Sequence, residues 1–294
     1  MFAPYVDVTM GYPLAANAAA NGNHFTLAFV IDSGGCTASW AGTIPLSSNL
    51  YVSDVASIRA AGGDVVISFG GAAGAELATT CGSAAALQAQ YQKVITQYGL
   101  KHMDLDVEGG AIGNSTSNAM RNTALAALQR ANPGLTVSFT VPALPNGITQ
   151  QAVSLLQDAV AKGVNIAQVN PMAMDFGGSY DNGGQMGISA MYTGWSTMNQ
   201  LEALYPSLSH AQIAAKVGIT PMIGQNDNPA EVFTLANASY LVSTARANGV
   251  GLLAFWSATR DVQCPAGTPQ TPAQGTCSGQ SQSANAYGAA FKGF

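Results

Sequence analysis

The sequence predicts an α/β fold, a closed (β/α)8 barrel of the TIM type that takes in residues 1–294 as one domain. Three observations carry the prediction. Eight short runs rich in β-branched and aromatic residues recur along the chain, alanine-rich stretches of helical composition lie between them, and 294 residues come close to the ~250 of a typical barrel.

The strand runs are YVDVT (5–9), HFTLAFVI (24–31), DVVISFGG (64–71), HMDLDVE (102–108), LTVSFTV (135–141), NIAQVNPMAMD (165–175), AKVGITPMI (215–223) and GLLAFWSAT (251–259). The helical stretches between them include SDVASIRAAG, AAALQAQYQKVITQYG, SNAMRNTALAALQRAN, ITQQAVSLLQDAVAKG and EVFTLANASYLVSTARANG, and SGQSQSANAYGAAFKGF supplies a last helix. Glycines stand just before strands in AAGGDVVISF and ARANGVGLLAF, where a helix ends in a left-handed residue. In a barrel the loops after the strand ends build the site. DVEGGAIGNSTSN, MAMDFGGSYDNGGQMG, TPMIGQNDNPAE and WSATRDVQC should therefore share one mouth. An open dinucleotide-binding sheet is the rival architecture, but SFGGAAG lacks the full GxGxxG pattern and its acidic partner.

Charged residues make up only 9% of the chain, and its ten Lys plus Arg are scattered singly. No basic stripe exists for a phosphate backbone, so nucleic acid is not an expected partner. The longest apolar runs, GVGLLAFW and TLAFVI, fall far short of the ~20 residues of a membrane span, so no membrane partner is expected either. A neutral or polar substrate bound by a monomer fits better. Cys36, Cys81, Cys264 and Cys277 match no CxxC spacing, and their even number permits two disulfides. Cys264 and Cys277 enclose PAGTPQTPAQGT, a loop with little else to hold it. We expect that pair and Cys36–Cys81, with four buried thiols as the alternative. Paired cysteines and a surface rich in Asn, Gln, Ser and Thr point to secretion. MFAPYVDVTM shows no basic region followed by an apolar core, so the leader is expected outside this sequence.

HMDLDVEGG (102–110) sets Asp104, Asp106 and Glu108 at alternate positions. Alternate residues of a strand share a face, so the three acids point into the barrel while Met103, Leu105 and Val107 face the helices. Like charges and desolvation both raise the pKa values of confined carboxyls. A divalent cation would offset that cost. The histidines His24, His102 and His210 are scattered, however, and neither HExxH nor DxDxDG occurs, so neither metal nor cofactor is expected. Shared protons are the other solution; one carboxyl then stays neutral and acts as a general acid. Glu108 lies at the strand's C-terminal end, where a barrel builds its site.

These residues resemble family 18 of the glycoside hydrolases, the chitinases, whose fourth-strand signature is DxxDxDxE. Asp104, Asp106 and Glu108 match its core, and Lys101 stands at the first acidic position. The family's SxGG on strand three corresponds to Ser68, Phe69, Gly70 and Gly71. Its Met-x-Tyr-Asp on strand six corresponds to Met172, Ala173, Met174 and Asp175, and its strand-eight tryptophan to Trp256. The resemblance implies hydrolysis of chitin or chito-oligosaccharides by a retaining reaction in which the substrate's own acetamido group is the nucleophile. It assigns Glu108 as acid and base, Asp106 to the acetamido N–H, and Asp104 to share a proton behind Asp106. Ser68, Gly70 and Gly71 would support the acids, and Trp256 would stack on a sugar face.

Tyr5 and Phe29 are expected as core or wall beside Met172, Met174 and Asp175, with Met222 filling the core next to them. Met174 cannot donate the hydrogen bond of the family's tyrosine. Gln168 and Asn170, on the same strand face, are expected to take that role, with Tyr180 and Tyr192 as further candidates. Trp40 and Trp195 either line outer subsites or pack. No large insertion separates the last two strand runs, which implies an open, shallow cleft and the internal cleavage of an endo-chitinase. The same framework serves endo-β-N-acetylglucosaminidases that act on N-glycans and, where the catalytic glutamate is lost, lectin-like barrels.

Overall fold

All eight runs form parallel strands in the computed structural model, which describes residues 1–180 and 182–294. They are β1 (Tyr5–Asp7), β2 (His24–Asp32), β3 (Asp64–Gly70), β4 (His102–Asp106), β5 (Thr136–Leu144), β6 (Ile166–Met172), β7 (Gly218–Ile219) and β8 (Leu252–Leu253). Parallel pairing runs without a break from β1 to β6. Bridges at Val169–Val217 and Met172–Thr220 carry it to β7, which pairs with β8. The ring closes where Ala3 N–H donates to the Leu253 carbonyl at 3.0 Å and Tyr5 N–H to the Phe255 carbonyl at 3.0 Å. The expected barrel therefore forms.

Around it stand α1 (Val52–Ala60), α2 (Ala84–Tyr98), α3 (Ser115–Ala131), α4 (Gln150–Ala161), α5 (Met186–Leu204), α6 (His210–Lys216), α7 (Leu235–Ala247) and α8 (Ala286–Phe291). Local chemistry starts several of them. The side chains of Ser83, Asn114, Thr149 and Thr234 each accept a backbone N–H from the first turn of α2, α3, α4 and α7, and Ser209 with Gln212 forms a capping box on α6. Gly99 ends α2 in the left-handed conformation. Met103, Leu105 and Val107 are wholly buried among the helices, within a core that continues around the barrel's outer side.

The barrel interior differs from the usual layers of branched aliphatics. Thr26, Ser68, Asp104, Asp106, Ser138, Thr140, Asn170 and Thr220 are all buried, most of them on inward positions. The register sets Ser68, Asp104, Ser138 and Gln168 side by side, and above them Gly70, Asp106, Thr140 and Asn170.

The structure departs from simple βα alternation in three places. After β2 the chain makes antiparallel excursions at Ala38–Trp40 and Ile44–Pro45, and β5 runs on into a hairpin with Gly147–Ile148. Strands β7 and β8 have two residues each, shorter than their sequence runs; Pro221, which has no N–H to give, follows closely on β7. The longest helix, α5, lacks the alanine-rich signature because packing supports it instead. A side-chain carbon on its Gly194 would lie 2.6 Å from Ile219, so the helix sits directly against β7. Both expected disulfides form: Cys36–Cys81 ties the loop after β2 to the region before α2, and Cys264–Cys277 closes the proline-rich loop.

One contact between strands positions the site. Gly70 has φ +106, and a side-chain carbon there would lie 2.1 Å from the Asp106 carbonyl oxygen. We therefore expect Gly70→Ala to cost on the order of 2–4 kcal/mol in denaturant unfolding, because strain and clash add. A smaller loss than about 1 kcal/mol would contradict this tight fit.

Candidate active site

Asp104 is 2% exposed and surrounded by hydroxyls. Its Oδ2 accepts from Ser68 Oγ at 2.7 Å and Tyr5 OH at 3.1 Å, its Oδ1 from Ser138 Oγ at 2.5 Å, and Thr140 Oγ1 donates at 3.0–3.1 Å. Burial raises its pKa, and these donors oppose the rise. Tyr5 OH also lies 2.7 Å from Thr140 Oγ1, and burial beside the acids pushes the phenol's pKa well up, so it stays a donor. Beneath them His102 Nε2 lies 3.1 Å from Ser138 Oγ; burial lowers the histidine's pKa to about 4 and keeps it neutral.

Asp106 has no such set of donors. Its Oδ1 is buried without a partner, and its carboxyl hydrogen-bonds that of Glu108. Burial, the Glu108 charge and the Asp104 charge raise its pKa well above the carboxylate range. Burial also raises that of Glu108, opposed by the hydrogen bond with Asp106. These two carboxyls titrate as a pair, the pKa of each raised by burial. Asp104, expected to share a proton with Asp106, has both oxygens taken up by hydroxyl donors. Glu108 is half-buried at the start of a helical turn, Gly109–Ile112, in extended backbone that continues the inward alternation of β4.

The pair opens into a cavity of about 300 Å³ at the C-terminal end of the strands. Phe29 and Trp256 form one wall, stacked at 5.6 Å and 16°, with Tyr5 tilted against both. Gly71 permits this, since a side-chain carbon there would lie 2.7 Å from the Phe29 ring. Met172, Met174, Met222 and Asp175 line the other side. Asp175 has φ +49; its Oδ1 accepts Asn228 N–H at 3.0 Å, while burial raises its pKa. Buried Glu231 fastens this loop: it accepts Phe176 N–H at 3.0 Å, Gly177 N–H at 2.7 Å and an Asn228 amide N–H at 2.8 Å.

Gln168 and Asn170 do not line the cavity. Gln168 sits level with Ser138, two residues lower on β6, and its Oε1 is buried without a partner. Asn170 spends its amide on Thr140 at 3.0 Å and on Tyr5 at 3.4 Å, and its carbonyl on Thr220 at 2.9 Å. Tyr180 and Tyr192 also lie off the cavity wall. Trp40 is wholly buried, bonded to Tyr98 OH, and Trp195 packs on α5 with its N–H on Asn248.

Sequence reasoning missed Ser138, Thr140, Thr220, Asp227 and Glu231. The strict alternation of TVSFTV marks Thr136, Ser138 and Thr140 as one polar face and was a usable signal. Asp227 and Glu231 belong to a loop with no period to read. Among the described residues no cluster of His, Cys, Asp and Glu is arranged to hold a metal ion, and no helix is long and apolar enough to cross a membrane.

A carboxyl pair at the end of β4, facing an aromatic-walled cavity in a (β/α)8 barrel, defines the class of barrel glycoside hydrolases. No family model matches the chain. It is 33% identical to the catalytic domain of a hyperthermophilic chitinase from Pyrococcus furiosus, over 99% of this chain and 93% of that one, with a TM-score of 0.89. It is 37% identical over 287 residues to a probable bifunctional chitinase/lysozyme of Escherichia coli, and 34% over 276 residues to endochitinase 11 of Metarhizium anisopliae. Those matches take in 92% and 89% of this chain but only 32% and 52% of the two relatives, so the chain spans a third to a half of their length. The chain belongs to the family 18 chitinase catalytic domains.

Titration of Asp106 links the site to stability. The folded state keeps a proton on the pair where the unfolded chain has lost it, so stability falls as pH rises above the ordinary carboxylate pKa. Asp106→Asn should melt higher than wild type at neutral pH, with the gap closing below about pH 4. A gap that persists in acid would show that charge burial is not its cause.

Proposed function

We propose that the protein is a secreted, monomeric chitinase that cuts β-1,4-linked N-acetylglucosamine chains internally, with retention of configuration. The observation that carries this reading is the buried Asp106–Glu108 pair opening into a cavity walled by Phe29 and Trp256. The Pyrococcus furiosus chitinase domain, solved in complex with chito-oligosaccharides, supports the substrate class, and the two disulfides fit an oxidising compartment.

In this reading a pyranose lies against Trp256, whose indole supplies a large apolar face. Glu108, whose pKa burial raises, gives its proton to the glycosidic oxygen. Asp106 then takes the acetamido N–H as the partner of its buried Oδ1. That bond aims the acetamido oxygen at the anomeric carbon and stabilises the charge that develops. Glu108 afterwards removes a proton from the water that opens the cyclic intermediate. Asp104, held by four side-chain hydroxyls, fixes the position of β4 and keeps a negative potential beneath Asp106. With Met174 in the tyrosine's place, the uncharged hydroxyls on the cavity wall are those of Tyr5, Thr140 and Thr220.

Glu108→Gln should lower kcat on chitin oligomers roughly 10³-fold while oligomer binding persists. A chitobiose-core glycopeptide is assayed in parallel. Cleavage of the glycopeptide alone would replace the chitinase reading with that of an endoglycosidase acting on N-glycans. Binding of oligomers by the wild type with turnover of neither substrate would make the barrel a lectin.

A further inference from the structure

Three exposed tyrosines stand on the loop after β6 and on the neighbouring helices α5 and α7. Tyr180, Tyr192 and Tyr240 are 37%, 51% and 38% exposed. Tyr180 lies in the loop after β6, and its carbonyl accepts Ser189 Oγ from the first turn of α5 at 3.3 Å. Asn237 at the start of α7 accepts Gly187 N–H, which joins the N-terminal ends of α5 and α7. Between them runs a groove of about 210 Å³ whose lining includes Gln185, Ile188, Asn237 and Tyr240. Ile188, Tyr192 and Trp195 follow at i, i+4 and i+7 on α5 and form one outward stripe.

Two features give this face its chemistry. The Tyr192 ring is braced: Trp195 meets it edge-on at 5.5 Å and 73°, and Trp195 is itself anchored by its N–H to Asn248 Oδ1 at 3.1 Å. A ring held this way loses little freedom when a ligand covers it. The second feature is charge. Glu202 is the one charged residue of α5 and Arg246 that of α7, and both stand near the C-terminal ends of these helices. Outer helix faces usually carry Lys and Glu; this one presents rings, amides and hydroxyls. Such a surface suits an uncharged chain of sugars, which offers apolar ring faces and many hydroxyls, and gives no purchase to nucleic acid.

The chain also links this face to the candidate site. Asp175 lines the cavity, the adjoining Phe176 and Gly177 are fixed by Glu231, and the loop then leads to Tyr180 and α5. We propose that the α5–α7 face, centred on Tyr192 and Tyr240, is a second, non-catalytic docking surface for a β-1,4-linked N-acetylglucosamine chain. It holds insoluble polymer beside the cleft. The inference rests on the substrate reading above and adds a site to it.

The test compares the full chain with Tyr192→Ala/Tyr240→Ala and Tyr192→Phe/Tyr240→Phe. Depletion onto insoluble chitin is measured in a Glu108→Gln background, and turnover of a soluble chitotetraose in the active one. The alanine pair should bind insoluble chitin about tenfold more weakly, as expected for two lost stacking contacts, with kcat and KM on the soluble oligomer unchanged. The phenylalanine pair should bind like wild type. Should the alanine pair fold poorly, Tyr192→Gln and Tyr240→Gln singly should each weaken binding by a smaller factor. Undiminished binding by folded alanine or glutamine variants overturns the proposal. A wild-type dimer that becomes monomeric in the alanine pair, with chitin binding intact, also overturns it and makes the face a self-association surface. If wild type turns over chitotetraose while these variants bind normally, this inference alone fails. If wild type neither binds chitin nor cuts the oligomer, the substrate reading fails first.

Discussion

Three carboxyls inside one barrel are the constraint around which the rest of this structure is arranged. Each of them is costly to desolvate, and together they repel. The strands meet the cost in two ways. Hydroxyls from β3 and β5 and from Tyr5 surround Asp104, while the Asp106 pKa is raised by burial and by neighbouring Glu108 and Asp104. A polar interior follows directly, because the inward positions of neighbouring strands must supply the donors. The apolar packing that stabilises the barrel is therefore displaced to its outer side, where Met103, Leu105 and Val107 meet the helices.

The same constraint fixes backbone positions. Gly70 lets β3 approach the Asp106 carbonyl, and Gly71 N–H donates to that carbonyl at 3.0 Å. Gly71 in turn leaves room for the Phe29 ring that stacks on Trp256. Two consecutive glycines thus connect the position of the acids with that of the aromatic wall. On the opposite side Glu231 acts across loops, and its burial is tolerated because backbone and amide N–H groups from two segments converge on it.

Charge poverty has different consequences inside and outside. Among the described residues no lysine or arginine pairs with these acids, and their pKa values are raised by burial. The buried cations serve elsewhere: Arg121 pairs with Glu76, and Arg260 holds the carbonyls of Ile223, Gln225 and Gln274 behind the mouth loops. On the surface the same scarcity leaves helical faces whose chemistry is that of aromatic rings and amides. Both conditions favour a neutral, hydroxyl-rich ligand.

The period of the sequence determined the eight strands, the order of the elements, the inward face of β4 and its acids, and the cysteine loop closed by Cys264 and Cys277. Each of these depends on near neighbours in the chain, where alternation, capping residues and loop composition act directly. The tertiary structure decided which hydroxyls surround Asp104, that Gln168 and Asn170 lie below the cavity, that α5 forms without a strong helical composition, and that Glu231 clips the loop holding Asp175. Strand stagger, helix packing and contacts between distant loops set those outcomes. They follow from closing the ring, a condition that no local stretch of sequence contains.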